Sequence, residues 1–343
     1  MKKIGRVLFV ILIGLIGSGN VYAEDTTDGG VGYSVRAVLP ENQRDTGRSF
    51  FDLRMAPDQE QVIQVEISNE SDEAATYEIQ LNNAFTNNNV IIDYQKTENP
   101  VDETLTHPFD TIASAQNQIE LSPKSQSIID ITLKMPVEEF DGMNLGGIRI
   151  SKVTDEGKTE NSVSVATAYV IGVILTENDT VVKPDMQLKE VTADLRGFKP
   201  QFLVNLQNPQ AMNISDLTID AQVYRADSDE VVKEAKTEDH RVAPNTTFNY
   251  FIPTDGDPMY PGDYRLNMVA EDQSGNRWEF DKEFTVTDEN ADRINNDAVG
   301  ITVESNNRWL FIALGVLTGI ILILIIYMIV TRRKKNRKDG ETI

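Results

Sequence analysis

Few residues in this sequence belong to the types that do covalent or metal chemistry. There is no cysteine, and the two histidines, His107 and His240, lie far apart and outside any metal-binding motif. Thiol catalysis, zinc binding and a histidine-dependent nucleophilic triad are therefore disfavoured. The common nucleotide-binding, serine-hydrolase and zinc-protease motifs are also absent from the sequence. We expect no catalytic residue, no metal and no cofactor, and hence a protein that is not an enzyme.

Acidic side chains are the remaining residues that could bind a metal ion or catalyse a reaction. The clusters 227–230 and 255–257 could offer oxygen ligands to calcium, but neither matches an EF-hand loop, and acidic turns are usually just solvated. No spacing singles out a carboxylate pair for glycoside hydrolysis among the 54 acidic residues. The net charge of -22 opposes binding to nucleic acid, so no nucleic-acid partner is expected.

Two short stretches could serve recognition instead. Residues 82–94 are rich in asparagine and include an aromatic ring, and such side chains can hydrogen-bond to and stack on a sugar or a peptide. The alternative is a turn-rich connection, because asparagine tolerates left-handed backbone. Residues 142–148 contain three glycines, which indicates positive φ or close backbone approach beside a strand. That stretch predicts a structural bulge or a surface where another chain docks.

The elements that must position these stretches are strands. Apolar and polar residues alternate with period two in both halves of the chain, with turn residues between the runs. The clearest runs are 61–67, 77–81, 128–133, 202–208, 217–224 and 248–253. No helical period is convincing outside the C-terminal apolar stretch. The pattern predicts an all-β protein of two tandem immunoglobulin-like β-sandwiches, at residues 31–178 and 184–287. Tyr264 suits a tyrosine corner, or is an ordinary strand aromatic.

The two ends of the chain predict export and anchoring. Residues 1–23 combine a basic start, a short apolar run and a small-x-small exit, which is typical of a cleaved signal peptide. Residues 309–330 form a 22-residue stretch without a charge, long enough for a transmembrane helix. Six cations follow in residues 331–343, which predicts a cytoplasmic tail and an N-terminus outside the cell. Residues 288–308 are predicted to be a polar stalk.

Several stretches together resemble one known family, the WxL-interacting proteins of low-GC Gram-positive bacteria. The resemblance covers roughly residues 31–300, and the terminal segments match the family layout as well. The stretches that carry it are Tyr33–Gln43, Phe51–Leu53, Thr86–Asn89, Ile92–Tyr94, Phe140–Gly142, Leu145–Ile148, Tyr169–Val173, Asn205–Pro209 and Ala243–Asn245.

This resemblance implies a cell-surface adaptor held in the cell membrane, with its ectodomain in the cell wall. The N-terminal domain would bind peptidoglycan and the C-terminal domain would bind the WxL domain of a partner surface protein. An alternative is a membrane-anchored assembly platform or chaperone for secreted surface subunits. From the resemblance and from polarity, the candidate peptidoglycan-binding residues are Asn83, Thr86, Asn87, Asp93 and Tyr94. The candidate partner-binding residues are Asn205, Gln207 and Asn208.

Overall fold

A computed structural model of the chain describes residues 31–97, 100–153, 167–301 and 308–338. The predicted signal peptide, residues 1–23, lies outside the described residues. Most of the described chain outside the C-terminal helix is β-strand, arranged in sandwich-like sheets, which confirms the all-β prediction.

The first sandwich packs a four-stranded sheet against a five-stranded sheet. In spatial order, the four-stranded sheet contains β1 (Tyr33–Val38), β3 (Glu60–Asn69), β9 (Gln126–Lys134) and β7 (Ala113–Ser114). In spatial order, the five-stranded sheet contains β2 (Phe51–Arg54), β11 (Ala168–Thr176), β10 (Asn144–Lys152), β4 (Ala75–Asn83) and β8 (Gln118–Leu121). The remaining elements are a hairpin of β5 (Phe85–Thr86) and β6 (Ile92–Asp93), and the one-turn helix α1 (Phe109–Ile112).

The alternation in the sequence explains the core of this sandwich. In β3, Ile63, Val65 and Ile67 are buried, whereas the residues between them are more exposed. β9 pairs antiparallel with β3 and places a matching set of aliphatic side chains in the same core. Period-two burial of this kind fixes the register, because a slip by one residue would turn every apolar side chain toward water.

The second sandwich is built from a three-stranded and a four-stranded sheet. In spatial order, the three-stranded sheet contains β12 (Gln187–Arg196), β13 (Lys199–Asn208) and β16 (Thr246–Pro253). In spatial order, the four-stranded sheet contains β15 (Val231–Val242), β14 (Ile214–Arg225), β17 (Gly262–Glu271) and β18 (Arg277–Val286). Tyr264 is buried and its hydroxyl donates to the carbonyl of Tyr260 at 2.7 Å, as the tyrosine-corner interpretation predicts.

Part of the segment predicted as a stalk is a helix that lies on the second sandwich. Helix α2 (Asp288–Asp297) is capped by Thr287, whose hydroxyl accepts the N–H of Asn290. Ala291 and Ile294, three residues apart on one face, are buried in the core of the second sandwich. Only two apolar residues face the sandwich, which is why the polar sequence shows so little helical periodicity.

The last described element is a long apolar helix, α3 (Arg308–Lys338). Its segment Ile312–Ile329 has a mean hydropathy of 2.9 and is long and apolar enough to cross a membrane. The side chains of this segment are exposed rather than packed on either sandwich. The helix is thus a candidate membrane span, in the position predicted for residues 309–330.

Candidate functional site at the domain junction

The hairpin β5–β6 is shaped by its own asparagine. The Asn87 side-chain oxygen accepts the N–H of Asn89 at 2.9 Å, and its amide nitrogen donates to Asp93 at 3.0 Å. Val90 takes a positive φ of 55° in the turn. Asn87 and Asp93 therefore hold the turn together, which is the role that the alternative interpretation gave to this run.

The same hairpin docks on the second sandwich. Thr86 is buried, and its backbone N–H donates to the hydroxyl of Thr246 at 3.2 Å. The Thr86 hydroxyl in turn accepts the backbone N–H of Ala243 at 2.9 Å. Val90 is buried within the core of the second sandwich, and its carbonyl accepts the N–H of Arg241 at 3.0 Å. The hairpin therefore belongs in sequence to the first sandwich but makes buried contacts with the second.

The contact between the two sandwiches, called the domain junction below, also includes hydrogen bonds to a carboxylate. Asp102 accepts two contacts from the side-chain nitrogen of Gln207, at 2.9 and 3.1 Å, and a further hydrogen bond from the hydroxyl of Thr247. The side chain of Asn245 donates to the carbonyl of Thr104 at 3.0 Å. Burial raises the pKa of Asp102, but hydrogen bonds from Thr247, Thr104 and Gln207 outweigh it, so this pKa lies below its ordinary value.

The glycine stretch brings backbone and aromatic rings close together. Gly142 has a φ of +81°, and a Cβ there would lie 2.3 Å from the carbonyl oxygen of Ala211 in the second sandwich. A Cβ at Gly146 would meet Phe109 at 2.0 Å, and one at Gly147 would meet Tyr94 at 2.6 Å. β10 pairs with both neighbours without a register shift, so close approach, rather than a bulge, requires Gly146 and Gly147.

The remaining candidate residues of the first domain lie beside that strand. Tyr94 packs against Gly147, and burial raises its pKa to about 12, so its hydroxyl stays neutral. Asn83 ends β4, where its side-chain oxygen accepts the N–H of Asp110 at 3.2 Å.

The structure brings some of the candidates of both domains together. Asn83, Thr86 and Gln207 line one cleft of about 390 Å³ at the junction, together with Asp102. Asn205 lies apart from it in the described structure and bonds to Asn249 at 2.8 Å within the second sandwich.

Asn208 is the most enclosed of the candidates. It is 0% exposed, and its side-chain nitrogen donates to the carbonyls of Met212 at 2.8 Å and Ala243 at 2.9 Å. Its oxygen accepts the N–H of Gln210 at 3.2 Å. Its hydrogen bonds thus stay inside the second sandwich.

The sequence does not single out Asp102 or Thr246 as contact residues. Asp102 carries a local signal, because its side chain accepts both the N–H and the hydroxyl of Thr104, a pattern typical of an Asx-type turn. Nothing local predicts its long-range partner Gln207. Among the described residues, no group of three or more His, Cys, Asp and Glu side chains is arranged to hold a metal ion.

The junction should respond to the loss of one hydroxyl. Thr86→Val keeps the shape of the side chain but leaves the buried N–H of Ala243 without its acceptor. We expect the free energy of unfolding to fall by about 1.5 kcal/mol, since an unsatisfied buried donor costs about 1–3 kcal/mol. Urea titration of the ectodomain measures it. The same change at the exposed Thr106 should cost less than about 0.5 kcal/mol, and equal losses in both variants would contradict this role.

The junction should also weaken in acid. Because the pKa of Asp102 in the folded protein lies below its unfolded value, its stabilising effect is present above the unfolded pKa. The effect disappears as the pH falls through the lower, folded value. We therefore expect the wild-type protein to lose more stability than Asp102→Asn between about pH 5 and about pH 3, as followed by thermal unfolding. Parallel curves for the two proteins would contradict this assignment.

Comparison with known proteins places both sandwiches in one family. Residues 33–152 match the family model described as "WxL Interacting Protein, peptidoglycan binding domain". Residues 158–296 match the model described as "WxL Interacting Protein, host binding domain". The second match begins before β11, a strand that belongs to the first sandwich, and ends within α2. No curated protein matches the sequence.

Two solved structures illustrate a distant likeness. The chain is similar to the CupB2 chaperone of Pseudomonas aeruginosa at 13% identity, covering 67% of this chain and 97% of that chain with a TM-score of 0.26. It is similar to the E. coli chaperone DraB at 12% identity, covering 74% of this chain and 95% of that one with a TM-score of 0.29. TM-scores this low carry no argument about this chain.

The two family matches together cover most of the chain, and both name binding domains. A peptidoglycan-binding domain is the mark of a protein that works at the cell surface, and the apolar helix α3 is compatible with that location. The expectation drawn from the sequence motifs is thereby confirmed: this chain belongs to the family of WxL-interacting proteins.

Proposed function

We propose that this protein is a non-enzymatic adaptor that binds peptidoglycan through its first sandwich and a WxL-domain protein through its second. It would thereby tether the WxL-domain protein to the cell envelope. The observation that carries the proposal is the pair of family matches, which follow one another along the two sandwiches of the structure. The domain junction supports it, because hydrogen bonds, two of them buried, connect the two sandwiches into one unit.

Helix α3 would hold this unit in the cell membrane, with the sandwiches outside. Its apolar segment has the length for one crossing, and the cations at 332–338 favour a cytoplasmic C-terminus. Removing residues from 302 onward should therefore release the protein from the membrane into the medium. Retention of the shortened protein in the membrane fraction would contradict this anchoring role.

The peptidoglycan half of the proposal is tested by co-sedimentation. The intact ectodomain, residues 31–301, should be used, because separate halves would expose the buried junction around Thr86 and Asp102. We expect it to pellet with peptidoglycan that has been stripped of teichoic acid and protein. We expect high salt not to release it, because the acidic chain offers little charge attraction to an anionic wall. A protein that stays in the supernatant would contradict peptidoglycan binding.

The proposed binding of a WxL-domain protein is tested by capture of a purified WxL domain. Asn205→Ala and Gln207→Ala are the informative variants, since both residues are candidates for partner binding. Asn205 is only partly buried, and Gln207, although 3% exposed, lines the cleft at the junction. We expect the wild-type ectodomain to retain the WxL domain and at least one of the variants to retain less. Retention by both variants that equals retention by the wild-type ectodomain would remove these residues from the contact.

One observation favours a second candidate function. The model that matches residues 158–296 is described as a host binding domain, so the second sandwich is also a candidate to bind a host molecule. Immobilised host extracellular proteins, offered to the ectodomain with and without the WxL domain, distinguish the two functions. Binding only to the host proteins would favour the second function over tethering.

A further inference from the structure

One strand of the first sandwich has an edge that its neighbour covers only in part. β8 pairs with β4 from Ala75 to Glu78, and the N–H of Ile79 still donates to the carbonyl of Asn117 at 2.8 Å. On the N-terminal side of Asn117 the chain leads away to β7, which belongs to the other sheet. Among the described residues, no strand continues along this side of β4 beyond Ile79.

The alternation of the strand decides which backbone groups face the open side. The N–H of Ile79 points toward β8. The N–H of Ala84, on the opposite side, donates to the carbonyl of Leu145 in β10 at 3.0 Å. Successive residues of a strand alternate in this respect. Leu81 and Asn83 have the same parity as Ile79, so their N–H and C=O groups point away from β10, toward the open edge.

The space beside this edge is a groove rather than open surface. It has a volume of about 670 Å³, and it is lined by residues 78–83 of β4, by residues 95–97 and 113–118, and by Val101 and Asp110. Seven of its lining residues are asparagine or glutamine. Amide side chains both donate and accept hydrogen bonds, as peptide groups do. Lys96, Glu78 and Asp110 add charges of both signs.

We propose that this groove binds the peptide stems of peptidoglycan, with one stem added as a short strand along β4. This inference rests on the proposed function and names the part of the polymer that is recognised. An extended peptide in this position hydrogen-bonds to Leu81 and Asn83, in the manner of strand addition to a sheet edge. The charged lining residues of both signs offer partners for its carboxylate and amine groups.

The length of the edge favours a stem peptide over a strand from a folded protein. The uncovered part of the edge lies beyond Ile79 and runs over four residues, 80–83, which is about 13 Å at the usual rise of a strand, and β4 ends there. That length accommodates about four residues, whereas strands of folded proteins usually have five or six. A bare glycan strand offers no regular series of amides to pair with the edge.

The test is hydrogen exchange in the intact ectodomain. We expect soluble stem peptides, released from peptidoglycan, to slow exchange at Leu81 and Asn83 by about tenfold or more, because new hydrogen bonds protect these amides. Peptide-free glycan strands should leave both rates unchanged. Protection by glycan strands alone, or only by a purified WxL domain, would overturn the inference.

A proline substitution tests the same hydrogen bond by mutation. Asn83→Pro removes the N–H that faces the groove, and Asn83→Ala removes the same side chain but keeps that N–H. We expect the proline variant to bind stem peptides several-fold more weakly than the alanine variant. Equal binding by two folded variants would overturn the inference, and exchange in the wild-type protein decides the matter if the proline variant does not fold.

Failure of the inference and failure of the proposed function have different results. If the ectodomain pellets with peptidoglycan but stem peptides leave Leu81 and Asn83 unprotected, the groove is not the site, and the adaptor function stands. If the ectodomain does not pellet with peptidoglycan at all, the proposed function fails, and the inference fails with it.

Discussion

Gly146→Ala is expected to destabilise the first sandwich by about 3 kcal/mol, the upper part of the range for overpacking a core. The added Cβ would lie 2.0 Å from the ring of Phe109, a residue that is itself 0% exposed and has little room to move. Gly146 also lies in β10, which is paired on both sides, so backbone movement would disturb two ladders. Chemical denaturation of the ectodomain measures the loss.

Gly172→Ala on the neighbouring strand is the matched control. The nearest atom to its added Cβ would be the hydroxyl of Tyr94 at 3.6 Å, an ordinary contact. We expect this variant to be unchanged or more stable by up to about 1 kcal/mol, because alanine loses less backbone entropy than glycine on folding. Similar effects of the two substitutions would contradict the close packing around β10.

Asn208→Ala is expected to cost the second sandwich about 3 kcal/mol. The substitution leaves two buried carbonyls, those of Met212 and Ala243, and the N–H of Gln210 without their partner. Each unsatisfied buried group costs about 1–3 kcal/mol, and partial relaxation keeps the total below the sum. Thermal unfolding at neutral pH is the measurement.

Asn205→Ala separates this structural role from recognition. Asn205 is only partly buried and bonds to one side chain, Asn249, so we expect a stability loss below about 1 kcal/mol. If Asn208 contacted the partner directly, its substitution would weaken capture of the WxL domain in protein that remains folded. Equal destabilisation by the two alanines would contradict a structural role for Asn208 that Asn205 does not share.

The sequence predicts the sandwiches well because the alternation of apolar and polar residues in their strands matches the alternation of buried and exposed positions. Ile63, Val65 and Ile67 alternate with polar residues, and this alternation is the pattern by which a strand faces a core on one side. Helix α2 was not predicted, since only Ala291 and Ile294 face the second sandwich and the rest of its surface is polar. A short helix held by tertiary contact leaves little periodicity to read.

The site was predictable only in its local features. Asparagines in residues 82–94 predict a turn or a recognition surface, and the structure uses Asn87 for the turn. The contact of that hairpin with the second sandwich joins residues about 160 positions apart, such as Thr86 and Thr246. No local pattern encodes such a pair. The open edge of β4 likewise depends on where β8 departs, which is a property of the sheet.

The most direct test of the tethering claim is simultaneous binding. A purified WxL domain is fixed to a sensor surface, the ectodomain is added, and soluble peptidoglycan fragments follow. If the protein is an adaptor, the bound mass should increase further when the fragments are added. The fragments should not bind to a surface that carries neither protein. The signal from fragments passed over the WxL domain alone is the baseline to be subtracted. Fragments that displace the ectodomain, or that add no mass above that baseline, would contradict the account, because one molecule would then not hold both partners at once.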